Sequence, residues 1–392
     1  MNDQKSTGLS RRHFLSLAGG GVVVAAGIGG TVFSLTRTPH NALIPWNQAG
    51  QYSEPRRFSL SYAILAPNPH NLQPWLVDLH EDGIVTLFSD PTRRLPATDP
   101  FDRQLTIGLG CFLEQMTIAA TAVGYRVETH LFPEGESPEG ESPEALGSLP
   151  IARVRFVADK KMVDPLFAYI LGRRSTKEPY DMSKTVAVKT LNGLNPQISG
   201  VRFEGATDQS QVNTLKKLTW ESWLTEYKTP STQQESVDLM RLGKAEINAN
   251  PDGIDLGGMP LEGLIAAGLI TKKDLATPGT SSYQAGIDIY QPMLEATPAY
   301  VWLTSADNRR TTQIAAGRAW LRLNLLTTKN GLALHPISQC LQEFPEMAAH
   351  YKRAHQMLAR EGETIQMLGR LGYAASVAKT PRWSLDDKIK RT

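Results

Sequence analysis

Cysteine is nearly absent: Cys111 and Cys340 are the only two in 392 residues. Neither belongs to a CxxC, which argues against zinc and iron–sulfur centres. A Cys111–Cys340 disulfide would need an oxidising compartment, and two buried thiols are the plainer expectation. An excess of one charge is missing too. Lysine and arginine number 41 against 39 acidic residues, a net +2, so composition gives no nucleic-acid footprint. No GxGxxG follows a strand-like run, and Gly27-Ile28-Gly29-Gly30 sits in an N-terminal apolar segment, so no dinucleotide loop is implied. Histidines form no metal pattern. His350 and His355 lie five apart on a helical stretch and share no face, while His80 and His130 read as strand surface.

What is present begins with Ser10-Arg11-Arg12-His13-Phe14-Leu15 and a glycine-rich apolar run over 17–35. Paired arginines before a mildly apolar segment resemble a twin-arginine export signal, a route for proteins already folded with their cofactor. The run is also about long enough to span a bilayer, and no A-x-A site follows, so a cleaved signal and an inner-membrane anchor both stay open. Residues 1–36 are set apart from the fold on this ground, and 37–55 reads as a linker.

Further on, 52–65 has patchy helical periodicity. Strands are expected at 76–79 and 84–89, joined through Glu81-Asp82-Gly83, a hairpin signal. A long apolar helix over 101–123 ends at Gly124, with strands at 125–132 and 151–157. Between those strands a Glu/Pro/Gly/Ser repeat over 133–150 reads as a flexible surface loop. The second part holds a helix near 211–227 and a Pro/Gly-punctuated stretch over 229–282 with short helical patterns and no clear strand. That stretch has the character of a lid or an interface. A strand at 299–304, a long helix over 310–330 closed by Gly331, a strand-like run at 332–337, a helix over 344–359 and a strand-like tail at 364–373 follow. Trp220, Trp223 and Trp320 read as core-facing helix residues. The two long helices align at identical spacing: Ile107, Gly110 and Gly124 on Ile314, Gly317 and Gly331, with Met116 on Leu323 and Thr121 on Thr328. An internal duplication and a coincidence of two glycine-ended helices both fit that spacing.

Two polar stretches offer chemistry. Arg173-Arg174-Ser175-Thr176-Lys177 places two guanidinium forks, a hydroxyl and an ammonium within five residues, a donor set suited to phosphate. The plain alternative is a solvated basic turn. Pro67-Asn68-Pro69-His70-Asn71-Leu72-Gln73-Pro74-Trp75 is a proline-broken loop whose amides and imidazole suit a planar heterocycle or a ribityl chain, or else an Asx-rich turn entering a strand.

Together these motifs resemble the flavin-dependent nitroreductase superfamily. Arg173-Arg174-Ser175-Thr176-Lys177…Asp181 is similar to that family's R-x-S-T-K/R motif, and the loop to its P-S-x-x-N-x-Q-P-W segment. His335-Pro336-Ile337-Ser338-Gln339 is similar to the stretch beside the isoalloxazine, and Leu371-Gly372-Tyr373…Pro381-Arg382 to the closing L-G-Y…P-R. In ordinary members the basic motif precedes the Q-P-W loop, whereas here it follows by about a hundred residues. That order resembles the Acg-like branch, in which one chain contains two nitroreductase halves. The resemblance implies an α+β, nitroreductase-like fold: a mixed β-sheet flanked by helices, in two pseudo-dimeric halves at 56–160 and 161–392, the second containing the lid or interface stretch 229–282. It implies FMN, one per chain, since neither motif recurs and Arg56-Arg57-Phe58-Ser59 lies too close to Pro67 to be a second basic motif. Arg173, Arg174 and Arg382 would neutralise the phosphate. Ser175 and Lys177 would reach phosphate, ribityl or the pyrimidine edge, and Asn68, Pro69, His70, Asn71 and Gln73 would line the ribityl and ring. His335, Pro336, Ile337 and Ser338 would flank N5; Ser338 and Gln339 replace the acidic residue and glycine usual there.

No protein side chain is required as a general acid. The expected function is an exported oxidoreductase that passes electrons from an unknown donor to a nitroaromatic or quinone-like acceptor. The alternative is a low-turnover protein that sequesters FMN or relays electrons. Partners beyond these small molecules would be the twin-arginine machinery alone, the location periplasmic or anchored to the inner membrane, and the state a pseudo-dimeric monomer.

Overall fold

The computed structural model describes residues 38–136, 145–159 and 162–390. The expected export signal and the centre of the Glu/Pro/Gly/Ser repeat lie outside the described residues.

The expected linker is in fact helical. Helix α1 (His40–Gln48) buries Ala42, Pro45 and Trp46, an i, i+3, i+4 stripe that packing favours despite an internal proline. Helix α2 (Pro55–Ala63) starts with proline at its first turn, and the Glu54 carboxylate caps it by accepting from Arg56 N and Arg57 N. Strands β1 (Trp75–Asp78) and β2 (Ile84–Ser89) form the expected hairpin, running from Trp75 opposite Ser89 to Asp78 opposite Thr86. Helix α3 (Arg103–Thr121) is fixed at its start by Asp99, which accepts from Gln104 N and Leu105 N at 3.0 Å each. Strands β3 (Tyr125–Leu131) and β4 (Ala152–Ala158) complete a sheet of order β1-β2-β4-β3.

The second half adds α4 (Val188–Asn192) and β5 (Val201–Ala206), a strand the sequence reading passed over. Helices α5 (Gln209–Lys228) and α6 (Pro230–Asp238) follow, then β6 (Met240–Leu242), α7 (Gly243–Ala249), β7 (Ile254–Leu256), α8 (Met259–Ala266), α9 (Lys272–Ala276) and α10 (Ser281–Glu295). The chain continues through β8 (Ala299–Ser305), α11 (Arg310–Lys329), β9 (Ala333–Pro336), α12 (Ala348–Leu358) and β10 (Thr364–Gly372). The second sheet has the order β5-β8-β10-β9. Taken in chain order within each half, this is the strand order of the first sheet. The architecture is the two-halved α+β one expected. Among the described residues both four-stranded sheets are antiparallel, and parallel pairing is limited to β6–β7 and an isolated bridge between Val77 and Ile389.

The aligned helices α3 and α11 pack on each other at the glycines singled out above. A Cβ on Gly110 would collide with the Ile314 carbonyl oxygen and stand 3.0 Å from Gly317 Cα; one on Gly317 would collide with the Ile107 carbonyl oxygen. Residue i meets j′ and j meets i′, the reciprocity of a twofold contact. Gly124 and Gly331 both end their helices at positive φ, +79° and +66°. Glu114 on α3 adds an ionic link to Arg318 and Arg322 on α11, at 2.7 Å each.

Helices α5–α10 fill the place that a short turn occupies between β1 and β2. The expected lid region within them carries two three-residue strands as well as helices, and it is docked. Asp252 binds Arg93 (2.5 Å), Arg241 (2.7 Å) and Trp383 Nε1 (2.7 Å). Glu235 accepts from Ala97 N and Thr98 Oγ1. Gln73 Nε2 donates to the Pro251 carbonyl at 2.8 Å. The insertion is thereby fastened to the proline-broken loop and to the C-terminal tail.

Candidate functional site

Arg173 and Arg382 are separated by most of the second half, yet their guanidiniums meet. Each is 3% exposed, and each donates from Nη2 to the Leu65 carbonyl, at 3.1 and 3.2 Å. Arg382 Nη1 also donates to Asn71 Oδ1 (2.5 Å), Thr380 Oγ1 and the Pro381 carbonyl. Neither has a carboxylate at ion-pair distance among the described residues, and the Nε–H of each lacks a partner. Burial, then the charge of Arg174, lowers Arg173 to about 10; burial, then the charge of Arg173, lowers Arg382 to about 9. Both stay charged at neutral pH. Two buried cations with an orphaned donor each form a site whose electrostatics call for an anion.

Arg174 stands apart from this pair. Its donors go to the carbonyls of Val377, Leu171 and Arg173, and its guanidinium lies 4.9 Å from the Trp46 ring centre. Lys379 and Arg382 approach the same ring at 5.7 and 5.8 Å, and Trp46 Nε1 donates to the Thr380 carbonyl. Trp46 thus gathers Arg382 of the pair together with Arg174 and Lys379. The sequence reading missed it because the residue was assigned to a linker. A cavity of about 220 Å³ opens here, with Arg382, Trp383, Asn248 and Pro45 in its wall.

The proline-broken loop is held in left-handed backbone at His70 (φ 47°), Asn71 (φ 54°) and Gln73 (φ 55°). Its amides maintain that shape. Asn68 Oδ1 accepts from Gln73 N at 2.7 Å, Asn71 Nδ2 donates to the Pro381 carbonyl, and Gln73 Oε1 accepts from Trp383 N. The side chains of Asn68, Asn71 and Gln73 thus tie the loop to itself and to the tail. Pro69 opens the turn that carries His70. Among the described residues no hydrogen bond ties the His70 ring, and burial, then the Lys177 charge, lower its pKa to about 4. Lys388 was also missed; it is buried and donates from Nζ to the Gln73 carbonyl at 2.8 Å.

Arg370, inside β10, positions the basic stretch. It is fully buried, stacks 4.1 Å from the Tyr180 ring centre, and donates to the carbonyls of Thr176, Glu178 and Met293. Its Nε–H donates to His335 Nδ1 at 2.9 Å. Since arginine only donates, Nδ1 is the acceptor and the His335 proton sits on Nε2. Burial, then Arg370 and Lys177, hold that ring neutral, its pKa well below the ordinary value. Ser338 Oγ accepts from Leu368 N and donates to the Leu368 carbonyl, and Ile337 is buried with its N–H on that carbonyl, so both are tied to β10. Pro336 pairs with Gly369. Ser175 is half-buried and Lys177 exposed, and neither side chain is tied in a hydrogen bond among the described residues. The charge of Lys177 bears on His70, His335 and the buried Glu226 of α5.

The other features behave as structure. Cys111 and Cys340 are buried free thiols. His355 bridges the Tyr351 carbonyl and Ile365 N, and no metal-ligating cluster occurs among the described residues. Arg56 spends its guanidinium on Glu54 and the carbonyls of Leu79, Glu81 and Ile84.

No protein-family model matches the chain. Among curated proteins, "Putative NAD(P)H nitroreductase Rv3131" of Mycobacterium tuberculosis (strain ATCC 25618 / H37Rv) is 27% identical over 352 residues, 86% of this chain and 92% of that one. The protein acg of the same strain, also named as an NAD(P)H nitroreductase, is 37% identical over 75 residues, 19% of this chain and 22% of its own. Among solved structures, the FMN-dependent nitroreductase NfnB from Mycobacterium smegmatis, in complex with NADPH, overlays with a TM-score of 0.35 at 14% identity, covering 56% of this chain and 95% of that one. A nitroreductase with bound FMN from Bacteroides fragilis gives 0.33 at 14%, covering 56% and 94%. Similarity to Rv3131 runs through most of the chain, and with acg it makes the chain similar to the Acg-like proteins of the nitroreductase superfamily.

Proposed function

We propose that the chain is an FMN-dependent oxidoreductase of the nitroreductase type, exported through the twin-arginine pathway, that reduces a nitroaromatic or quinone-like acceptor. The observation that carries this is the buried pair Arg173 and Arg382, with no carboxylate at ion-pair distance among the described residues and an orphaned Nε–H on each. A phosphate monoester offers the charge and the acceptor oxygens that this pair lacks. Arg173 and Arg382 would hold the phosphate. Ser175, Lys177 and His70, whose polar atoms are not spent on the fold, would face the rest of the cofactor. Bound FMN would supply the hydride and electron chemistry. Arg370 keeps the basic stretch in place, and neutral His335 keeps a second cation out of the space beside Lys177.

A second reading, a flavin-binding protein with little turnover, is favoured by one observation: the insertion is fastened to the loop and tail by Asp252, Glu235 and Pro251. The visible spectrum of the purified protein under anaerobic NADPH separates the two. Bleaching of a flavin spectrum is expected for the reductase. A flavin bleached by dithionite alone supports the second reading, and a colourless protein that takes up no FMN overturns both. The double variant Arg173→Ala, Arg382→Ala should fold and bind FMN on the order of a hundredfold more weakly or worse, two charge-assisted contacts being lost. Stoichiometric FMN in that variant would remove the arginine pair from the site.

A further inference from the structure

Asp252 enters the reading so far only as a fastening. It lies in the turn between α7 and β7 and is 4% exposed. Its Oδ2 accepts from Arg93 Nη1 (2.5 Å) and Trp383 Nε1 (2.7 Å), and its Oδ1 from Arg241 Nε (3.2 Å) and Nη2 (2.7 Å). Burial alone would raise its pKa, but these donors outweigh burial and hold the carboxyl below its ordinary range. The residues on either side reach the proline-broken loop. The Pro251 carbonyl accepts from Gln73 Nε2 at 2.8 Å, and Gly253 N donates to the Asn71 carbonyl at 3.3 Å. Arg93, held by Asp252, donates from the same Nη1 to the Leu72 carbonyl at 3.0 Å. Residues 251–253 thus hold residues 71–73, directly or through Arg93, and the left-handed backbone at Asn71 and Gln73 needs such support. Gly253 is itself at positive φ (+71°), and a Cβ there would collide with the Leu239 carbonyl oxygen, so the turn admits only glycine.

Both sides of this grip lead to Arg382. Trp383 is the next residue in the chain, and its backbone N–H is on Gln73 Oε1 at 2.9 Å. Asn71 Oδ1 accepts from Arg382 Nη1 at 2.5 Å, and Nη2 serves the Leu65 and Ala66 carbonyls. Both Nη groups are therefore occupied, and the Nε–H alone is left over. We propose that Asp252 is a positioning residue for the phosphate of the cofactor: through Trp383 and the loop it fixes the direction in which Arg382 presents its free donor, and so selects a phosphorylated flavin over an unphosphorylated one. The proposal rests on the flavin-reductase reading, with the arginine pair as its phosphate site. The negative charge of Asp252 is met by Arg93 and Arg241, which leaves the charge of Arg173 and Arg382 for the phosphate. On this assignment the insertion is a brace of the cofactor site and not a cover over it.

The experiment compares FMN with riboflavin, the same flavin without its phosphate, on the full chain stripped of flavin. Quenching of flavin fluorescence gives both dissociation constants. The wild type should bind FMN about a hundredfold more tightly than riboflavin. Asp252→Asn should weaken FMN about tenfold, a charge-assisted contact being partly lost, and leave riboflavin within about twofold. Trp383→Phe keeps an aromatic ring, deletes the indole N–H and should give the same split, so the test stands even where Asp252→Asn does not fold. The double variant should lose little more than either single one, since both act on one contact. Weakening of both flavins by one factor, or undiminished FMN binding in the variants, would overturn the role of Asp252. A wild type that binds neither flavin would instead overturn the flavin reading. One that binds both equally would take the arginine pair out of the phosphate site, and the proposal falls with either.

Discussion

Arg370 reaches one histidine ring and three carbonyls from inside a strand, and it decides the protonation state of His335. Its charge also helps keep that ring from titrating in the ordinary range. The sign follows: with the folded pKa depressed, only the unfolded chain takes up the proton as pH drops below about 6.5, so this site costs stability in acid. Arg370→Met should raise the His335 midpoint, observed as ring NMR shifts, and narrow that acid loss. An unmoved midpoint would show that burial alone keeps the ring neutral. At this scale Arg173 and Arg382 were legible because each sits in a recognisable motif. Arg370 and Asp252 were not, because a charged letter in a sequence does not say whether the fold buries it. The loop amides are half legible: their donors and acceptors suit a ligand and a turn equally, and only the structure shows the left-handed backbone at three loop positions that they brace.

The α3–α11 crossing shows what an element-scale pattern can carry. The glycine spacing was visible as an echo, and the reciprocal contact gives the reason: a side chain at Gly110 or Gly317 would strike the other helix's backbone, which cannot yield as a flexible side chain can. Gly317→Ala should destabilise the protein by about 3 kcal/mol, from forced separation of two packed helices, as urea unfolding would measure. Gly124→Ala, at a helix end with open space around it, should cost only about 1 kcal/mol from its positive φ. Equal losses would mean that the crossing is not close-packed. Other elements were read less well. Helix α1 was taken for linker because Pro45 and its neighbours break helical propensity, and only the burial of Ala42 and Trp46 compensates. Strand β5 was passed over because it is half-buried along most of its length and its pattern is faint.

For the molecule as a whole, the order of events matters as much as the architecture. Helix α1 follows directly on the expected signal and packs through Trp46 onto Arg174 and Arg382. On the proposed export route such a chain would gain from folding and loading before transport, since segments from both ends meet at the arginine pair. Arg11→Lys with Arg12→Lys should therefore leave a cytoplasmic protein that still carries flavin, as cell fractionation and absorbance would record. Unchanged export of that variant would remove the twin-arginine assignment.

The two sheets share one strand order, but their clefts have parted company. Arg56, in the first half, is knitted into carbonyls at a hairpin, while Arg173, in the second, is left with an idle donor. In a homodimer each codon is expressed twice, so a change that suits one cleft is imposed on its twin. Here each half has codons of its own. The first half could surrender its cleft to packing, and the second could acquire an insertion carrying Asp252, because neither novelty had to be tolerated in duplicate.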